Sequence, residues 1–452
     1  MTKVITYGSF DMLHYGHIRL LERAKALGDY LIVGVTSDDY DKTRGKINLR
    51  QSLMERVEAL KATGIPDEVI IEEYEGQKID DIQRLGVDIF AIGSDWKGKF
   101  DYLNKHCRVV YLDRTEGVSS TKLRSEDNRL RLGIVGDEEK RILKKYYEES
   151  FFVNGMEISG ICTRNTVIRN EMREKTYITS DYDDILSKSD AVYILSHPAH
   201  HYDQIRKALE NRKHVLVETP ITLSTAQTRE LFSLAKKNGL ILMESLKTAY
   251  STAYNRLILL LESGKIGDVV SVDATCTSIR EIKPEDSSFG QVWNSICSWG
   301  PTAMLPVFQI LGTDYSEARI SSLFLDEKQQ FDLFTKVDFT YRNAVASVKV
   351  GRGVKSEGEL VVSGTKGYIY VPAPWWKTDY FEVRYEEAEN NRRYFYQLEG
   401  EGIRYELVAF QKAVLSGNNT SYLTEEVSEA IASVMEQFHD NKVSVLNRGE
   451  KC

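Results

Sequence analysis

His14 and His17 flank Gly16, close behind Gly8, Ser9, Phe10 and Asp11. Imidazoles at that spacing can donate to oxygens of one phosphate, and a helix start adds backbone N–H groups that favour anions. Gly16 lets a ligand approach the backbone closely. Asp11 suits a Mg²⁺ carried by a triphosphate, because that ion takes one or two carboxylates plus phosphate oxygens. Arg44 and Lys46 lie in a glycine-containing loop and can close over phosphates, and the planar fork of Arg114 suits phosphate as well. Ser119, Ser120 and Thr121 precede a helical stretch and offer hydroxyls and N–H groups to a further anion.

The chemistry these groups suit is nucleotidyl transfer, in which an acceptor phosphate attacks an α-phosphate and pyrophosphate leaves. The acceptor is already ionised at neutral pH. Catalysis then consists of positioning and of neutralising charge on pentavalent phosphorus, with no nucleophilic side chain required. A bare His-x-Gly-His is as readily a turn with incidental histidines, but the residues on either side weigh against that. Arg44 alone reads as a solvated loop charge, and Trp96 alone as core as often as contact.

The elements that must hold these groups can be read around them. Val4 to Tyr7 form an apolar run that Gly8 breaks, and Ile18, Leu20, Leu21, Ala24 and Leu27 recur at helical spacing. This places His14 and His17 on a strand-to-helix turn. Further apolar runs at 31–36, 69–71, 89–92 and 109–112 read as buried strands, with helices predicted near 53–62 and 79–85. The alternation predicts a doubly wound parallel α/β sheet, whose ligands bind at the carboxyl ends of the strands.

The run GSFDMLHYGH at 8–17, RLLERAK at 19–25, GSDWKGKF at 93–100 and RTEGVSSTK at 114–122 together resemble the glycerol-3-phosphate cytidylyltransferase family. The resemblance covers about the first quarter of the chain. It implies an HxGH nucleotidyltransferase domain using CTP and a polyol phosphate, glycerol phosphate first, to give a CDP-polyol for surface polymers. It puts His14, His17, Lys46 and Arg114 in catalysis. Gly8, Ser9, Phe10, Asp11, Gly16, Arg44, Asp95, Trp96, Ser119, Ser120 and Thr121 would surround the nucleotide, with Asp95 and Trp96 at the base or ribose. Lys46 matches a family lysine, Arg44 stands where a second lysine is usual, and Ser94 where a second aspartate is common.

At 452 residues the chain exceeds what one core sustains. A net charge of −8 argues against a general nucleic-acid binder. Met1 to Tyr7 lack a leader pattern, and no apolar run reaches the ~18 residues of a membrane span. The cysteines show no CxxC spacing and read as reduced thiols. A cytoplasmic protein is expected, with a homodimer or larger homo-oligomer on the habit of such families.

A charged stretch at 126–131 precedes a new strand, so domains are expected at 1–128, 129–250 and 251–452. Tyr182 to Leu186, Asp190 to Ile194, Pro198 with His201, Lys213 to Pro220, Gly264 to Val269 and Gly364 to Tyr368 resemble the Gfo/Idh/MocA oxidoreductase family. That implies a Rossmann domain, then an α/β domain with an open, mostly antiparallel sheet, and NAD or NADP held near Gly136, Thr163, Arg164 and Glu218. The family's glycines after Gly136 are replaced, Glu138 and Arg141 taking the second and third places, and carboxylates there repel a pyrophosphate. Thr163 and Arg164 replace the acidic residue that would bind a ribose 2′-OH, a change that favours NADP.

The family's catalytic lysine falls on Thr219, and its later acid and histidine or tyrosine on Ser298 and Thr302. These losses read as a degenerate oxidoreductase domain serving as scaffold, oligomerisation surface or sensor. A second reading is a bifunctional enzyme whose C-terminal part reduces a keto-sugar or keto-polyol to supply the acceptor, with His201 or Lys247 as replacement proton donor. A third is a nucleotide-sensing regulator, against which His14, His17, Lys46 and Arg114 speak. Trp375 and Trp376 are expected to cover a sheet or subunit contact.

Overall fold

The computed structural model describes residues 1–11, 13, 15–37, 51, 53–74, 76–113, 129–137, 140–153, 155–279, 293–326, 331–396, 398, 400–417 and 423–446. His14, Arg44, Lys46, Arg114, Ser119, Ser120, Thr121 and Glu138, together with the side chain of Arg141, lie outside the described residues. The chain divides into two compact units, residues 1–129 and 130–452.

The first unit is a parallel sheet of β1 (Lys3–Gly8), β2 (Tyr30–Thr36), β3 (Glu68–Glu72), β4 (Ile89–Gly93) and β5 (Arg108–Leu112), in the order β3-β2-β1-β4-β5. Its strands read as continuous apolar runs because both faces are covered. On one face Val4, Leu31 and Val33 pack with Leu21 and Ala24 of α1 (Tyr15–Lys25) and Leu60 of α2 (Leu53–Ala62). On the other, Ile5, Tyr7 and Phe90 pack with Ile82 of α3 (Gln77–Leu85), Phe100 and Leu103. Helix α1 starts at Tyr15, earlier than the apolar spacing predicts, because its first turn carries no buried side chain to reveal it. His17 therefore belongs to the first turn of the helix rather than to the loop before it. The strand order reverses between β1 and β4, which makes their carboxyl ends the ligand crevice of this fold.

The second unit opens with six parallel strands, β6 (Leu130–Val135), β7 (Met156–Cys162), β8 (Ile178–Thr179), β9 (Ala191–Ile194), β10 (His214–Glu218) and β11 (Leu242–Ser245), ordered β11-β10-β9-β6-β7-β8. Helices α4 (Lys140–Ser150), α5 (Thr166–Met172), α6 (Tyr182–Lys188), α7 (Pro198–Glu210) and α8 (Thr225–Asn238) alternate with them. After α9 (Thr252–Glu262) comes a ten-stranded mixed sheet. Its strands are β12 (Val269–Ile279), β13 (Glu317–Asp326), β14 (Phe331–Thr340), β15 (Val345–Gly351), β16 (Gly353–Val354), β17 (Leu360–Gly364), β18 (Tyr368–Val371), β19 (Tyr380–Arg384), β20 (Arg392–Phe395) and β21 (Val443–Val445). Pairing is antiparallel except for β12 with β15 and β13 with β21. α10 (Ser295–Leu311) interrupts these strands, and α11 (Ile403–Ser416) and α12 (Glu425–His439) return to the six-stranded part.

The return is made by buried and half-buried hydrogen bonds. Ser428 of α12 donates to Glu244 at 2.5 Å, and Tyr146 of α4 donates to Glu406 of α11 at 3.2 Å. Ser224 and Thr225 donate to Glu436 at 3.0 and 2.9 Å. The expected division near residue 250 thus falls inside one compact unit. Among the described residues no helix is long and apolar enough to cross a membrane.

Candidate functional site

In the first unit the motif begins where β1 ends. Phe10 takes a left-handed backbone (φ 51°), an uncommon conformation for a residue with a side chain, and its ring is buried. That ring meets the His17 imidazole edge-on, with centroids 5.5 Å apart. A Cβ on Gly8 would come within 3.1 Å of the same ring, so this position has no room for a larger residue. The Ser9 carbonyl accepts from Arg56 at 2.6 Å, and the same fully buried guanidinium donates to the Thr36 carbonyl at 2.9 Å. Arg56 thereby ties the turn after β1 to the end of β2. Asp11 is 1 % exposed, and its Oδ1 accepts the Gln51 N–H at 3.0 Å.

After β4 the chain makes one 3₁₀ turn, Ser94–Trp96, with Asp95 exposed and Trp96 half-buried. The Trp96 ring lies 5.8 Å from that of Phe100, and Lys99 Nζ sits 5.0 Å from it. Gly8, Ser9, Phe10, Asp11, Gly16 and His17 on one side and Asp95 and Trp96 on the other therefore follow two neighbouring strands. Among the described residues no group of three or more His, Cys, Asp or Glu could hold a metal ion. A Mg²⁺ carried by a triphosphate needs less than that, and Asp11 is the carboxylate at this turn.

In the second unit a cavity of about 270 Å³ opens at the carboxyl ends of β6, β9, β10 and β11. It includes the crevice between β6 and β9, where the strand order reverses. Gly136, Glu218, Thr219, Lys247, Ser298 and Thr302, singled out in the sequence, all line it. Thr163 and Arg164 do not. The Thr163 hydroxyl and Arg164 N–H donate to Asp137 Oδ1 at 3.1 and 2.5 Å, which draws that carboxylate toward the end of β7 and leaves Arg164 exposed.

His201 does not reach the cavity either. It is fully buried, with Nδ1 2.9 Å from the Pro220 carbonyl and Nε2 2.7 Å from the Ser196 carbonyl, and burial pushes its pKa down to about 4. A neutral ring held between carbonyls positions backbone. Thr219 turns its hydroxyl to Glu244, whose own pKa burial raises to about 7.

Several groups in and behind the cavity were not foreseen in the sequence. The Tyr193 hydroxyl is 2.9 Å from Glu218 Oε2 and 2.9 Å from Ser245 Oγ. Ser245 donates to Glu406 Oε1 at 2.7 Å, and burial, with Glu218 nearby, pushes Glu406 up to about 8. Lys145 and Lys377 both bind Glu401; although burial pushes this carboxyl upward, the two lysines hold it at about 2. Burial lowers the pKa of Lys247 against the pull of Glu218. Trp375 is core, and Trp376, whose ring lies over Gly358, also lines the cavity 4.9 Å from Trp299. The spacing of Glu401 and Glu406 around Gly402 is unusual in sequence, yet nothing local announces that α11 delivers Glu406 to the end of β11.

Fold and site together define a nucleotidyltransferase-type α/β unit followed by a dinucleotide-fold oxidoreductase unit. Residues 5–126 match the family model described as cytidylyltransferase-like, and residues 130–246 match that of the oxidoreductase family with an NAD-binding Rossmann fold. The glycerol-3-phosphate cytidylyltransferase of Bacillus spizizenii is 50 % identical over 126 residues, which are 28 % of this chain and 97 % of the relative. The chain belongs to the glycerol-3-phosphate cytidylyltransferase family through its first unit and carries a Gfo/Idh/MocA oxidoreductase domain in its second. An uncharacterized oxidoreductase of Escherichia coli, YhhX, is 33 % identical over 201 residues, 42 % of this chain and 56 % of the relative. The solved structure of KijD10, a 3-ketoreductase from Actinomadura kijaniata in complex with NADP and TDP-benzene, aligns with a TM-score of 0.63 at 19 % identity. It covers 71 % of this chain and 99 % of that one.

Proposed function

We propose that the first unit transfers the cytidylyl group of CTP to a polyol phosphate, glycerol phosphate first, giving a CDP-polyol and pyrophosphate. The observation that carries this is the turn after β1, which Arg56 and Gln51 hold in the crevice beside the start of α1. There His17, joined by His14, donates to phosphate oxygens as charge builds on the α-phosphorus, and the N-terminus of α1 adds its N–H groups. Lys46, Arg44 and Arg114 neutralise the triphosphate and acceptor, with Ser119, Ser120 and Thr121 as a further anion site. Mg²⁺ enters with the CTP, near Asp11. Pyrophosphate release, measured with CTP and ATP against a panel of polyol phosphates, tests this reading; release with ATP alone would sink it.

For the second unit we infer a working reductase of a small keto-polyol or keto-sugar phosphate, in place of the degenerate domain that the lost lysine suggests. What favours this is the charged and hydroxylated cavity, in and behind which Tyr146, Ser245, Glu406, Tyr193 and Glu218 are hydrogen-bonded to one another. A reduced nicotinamide fits beside Gly136, which leaves the crevice between β6 and β9 free of side chain, and Arg164, exposed outside the cavity, suits a ribose phosphate. When bound, that cofactor supplies hydride. Its product would be the acceptor of the first unit. NADPH consumption with keto-polyol phosphates tests the reading, and NADPH binding without any turnover would restore the sensor alternative. A cytoplasmic homodimer or larger homo-oligomer is the expected form, which light scattering on the purified chain checks.

A further inference from the structure

Thr219 stands one residue beyond Glu218, and Glu218 at the end of β10 is in register with Ser245 at the end of β11. Lys247 lies two residues past Ser245, so it enters the cavity from the neighbouring strand, beside the place Thr219 occupies. The three lysines of the cavity differ in their engagements. Lys145 and Lys377 are both spent on Glu401. Among the described residues Lys247 makes no hydrogen bond or ion pair, and its ammonium is left to meet a ligand. The charged groups around it are Glu218, Glu401, Glu406 and Lys377, with the Tyr146 hydroxyl donating to Glu406 and the Tyr193 hydroxyl to Glu218. Thr219 cannot substitute, because a threonine hydroxyl is a far weaker acid than an ammonium and this one is bound to Glu244.

Resting on the reductase reading above, we propose that Lys247 is the proton donor of carbonyl reduction, a role moved one strand over from the turn that holds Thr219. The reductant is a reduced dihydronicotinamide, which gives up hydride with both electrons and is oxidised to the nicotinamide cation. As the carbonyl carbon gains its new C–H bond, the C=O π pair moves onto oxygen. An N–H bond of Lys247 breaks while the alcohol O–H bond forms, leaving a neutral amine. Solvent protons recharge it, with the chain Glu406–Ser245–Tyr193–Glu218 alongside as a relay. Burial favours the neutral amine, so the proton is given up more readily than by an exposed lysine.

The test uses the full chain with NADPH and dihydroxyacetone phosphate or another keto-polyol phosphate that the wild type consumes. Lys247→Ala should lower kcat by ~100-fold or more. NADPH binding, followed by fluorescence, should stay within about threefold and pyrophosphate release by the first unit should not change. Ethylammonium added to Lys247→Ala should restore turnover, which a merely structural lysine would not allow. The ¹³C-methyl NMR signal of the reductively methylated chain that Lys247→Arg removes should titrate below the ordinary lysine range. Wild-type turnover in Lys247→Ala, or a signal titrating like an exposed lysine with no amine rescue, overturns the assignment alone. A wild type that binds NADPH but consumes none with any carbonyl overturns the reductase reading and this assignment together.

Discussion

The hydroxyl of Ser245 donates to Oε1 of Glu406 at 2.7 Å, joining the end of a parallel strand to a helix 161 residues further along the chain. Both groups are buried, so the bond forms only when α11 docks on the end of β11. The cavity of the second unit is therefore assembled by α11 as much as by the dinucleotide fold.

That carboxyl should make stability depend on pH. Burial raises Glu406 from 4.5 to about 8, and Glu244 from 4.5 to about 7. The native state then holds protons that the unfolded chain has released, so this contribution is full below about pH 4.5 and is lost as pH rises toward 8. His201 and His439, lowered by burial from 6.5 to about 4, act oppositely: their contribution is present above 6.5 and lost as pH falls. Above pH 6.5 the histidines no longer change, and Lys247, lowered by burial, opposes the carboxyls only as it loses its own proton. The Tm of the second unit, followed by calorimetry, should decline from pH 6.5 to 8.5, and Glu406→Gln should flatten that decline.

His17→Ala should reduce kcat for cytidylyl transfer by ~100-fold or more, because the lost donor acts mainly on charge formed in the transition state. Circular dichroism and Tm should stay close to the wild type, since His17 lies in the first turn of α1 and outside its buried face. Pyrophosphate release at saturating CTP is the measurement, and near wild-type turnover would remove His17 from catalysis.

Arg56→Met should act on both stability and rate. It removes two charged hydrogen bonds, to the carbonyls of Ser9 and Thr36, at a cost of about 3 kcal/mol to the first unit. The freed Ser9–Phe10 turn should also lower kcat, while unfolding of the second unit stays where it was. A urea titration read alongside pyrophosphate release separates the effects.

The buried pair Lys78–Glu72, with Lys78 Nζ 4.7 Å from the centre of the Tyr7 ring, offers a double-mutant test. Lys78→Met alone removes the cation bound to a buried carboxylate and should destabilise the first unit by about 3–5 kcal/mol. Adding Glu72→Leu should recover most of that loss, since an apolar pair of similar volume needs no desolvated charge. A double variant as unstable as the single one would mean that Glu72 is held by other partners.

The first sheet was open to reading because its strands are buried on both faces, so Val4 to Tyr7 and Leu31 to Thr36 stand out as apolar runs. The start of α1 was not, since none of Tyr15, Gly16 and His17 is a buried apolar side chain. Nothing local marks Arg56 as the residue that the turn after β1 closes over. Trp376 reads as a cover for the sheet, and it lines the cavity because Trp299 of α10 lies beside it.

From the amino-acid sequence alone came the order of elements, the two unit types, and the chemistry of the turn from Gly8 to His17. These follow from local pattern: apolar period, breaking glycines, and catalytic groups close in the chain. Only the tertiary structure decided that His201 is walled in, that Lys145 and Lys377 are paired while Lys247 is not, and that Glu406 stands beside Ser245. Burial and charge pairing depend on segments that meet only in the folded chain, and they decide which of many similar side chains keeps a proton to give.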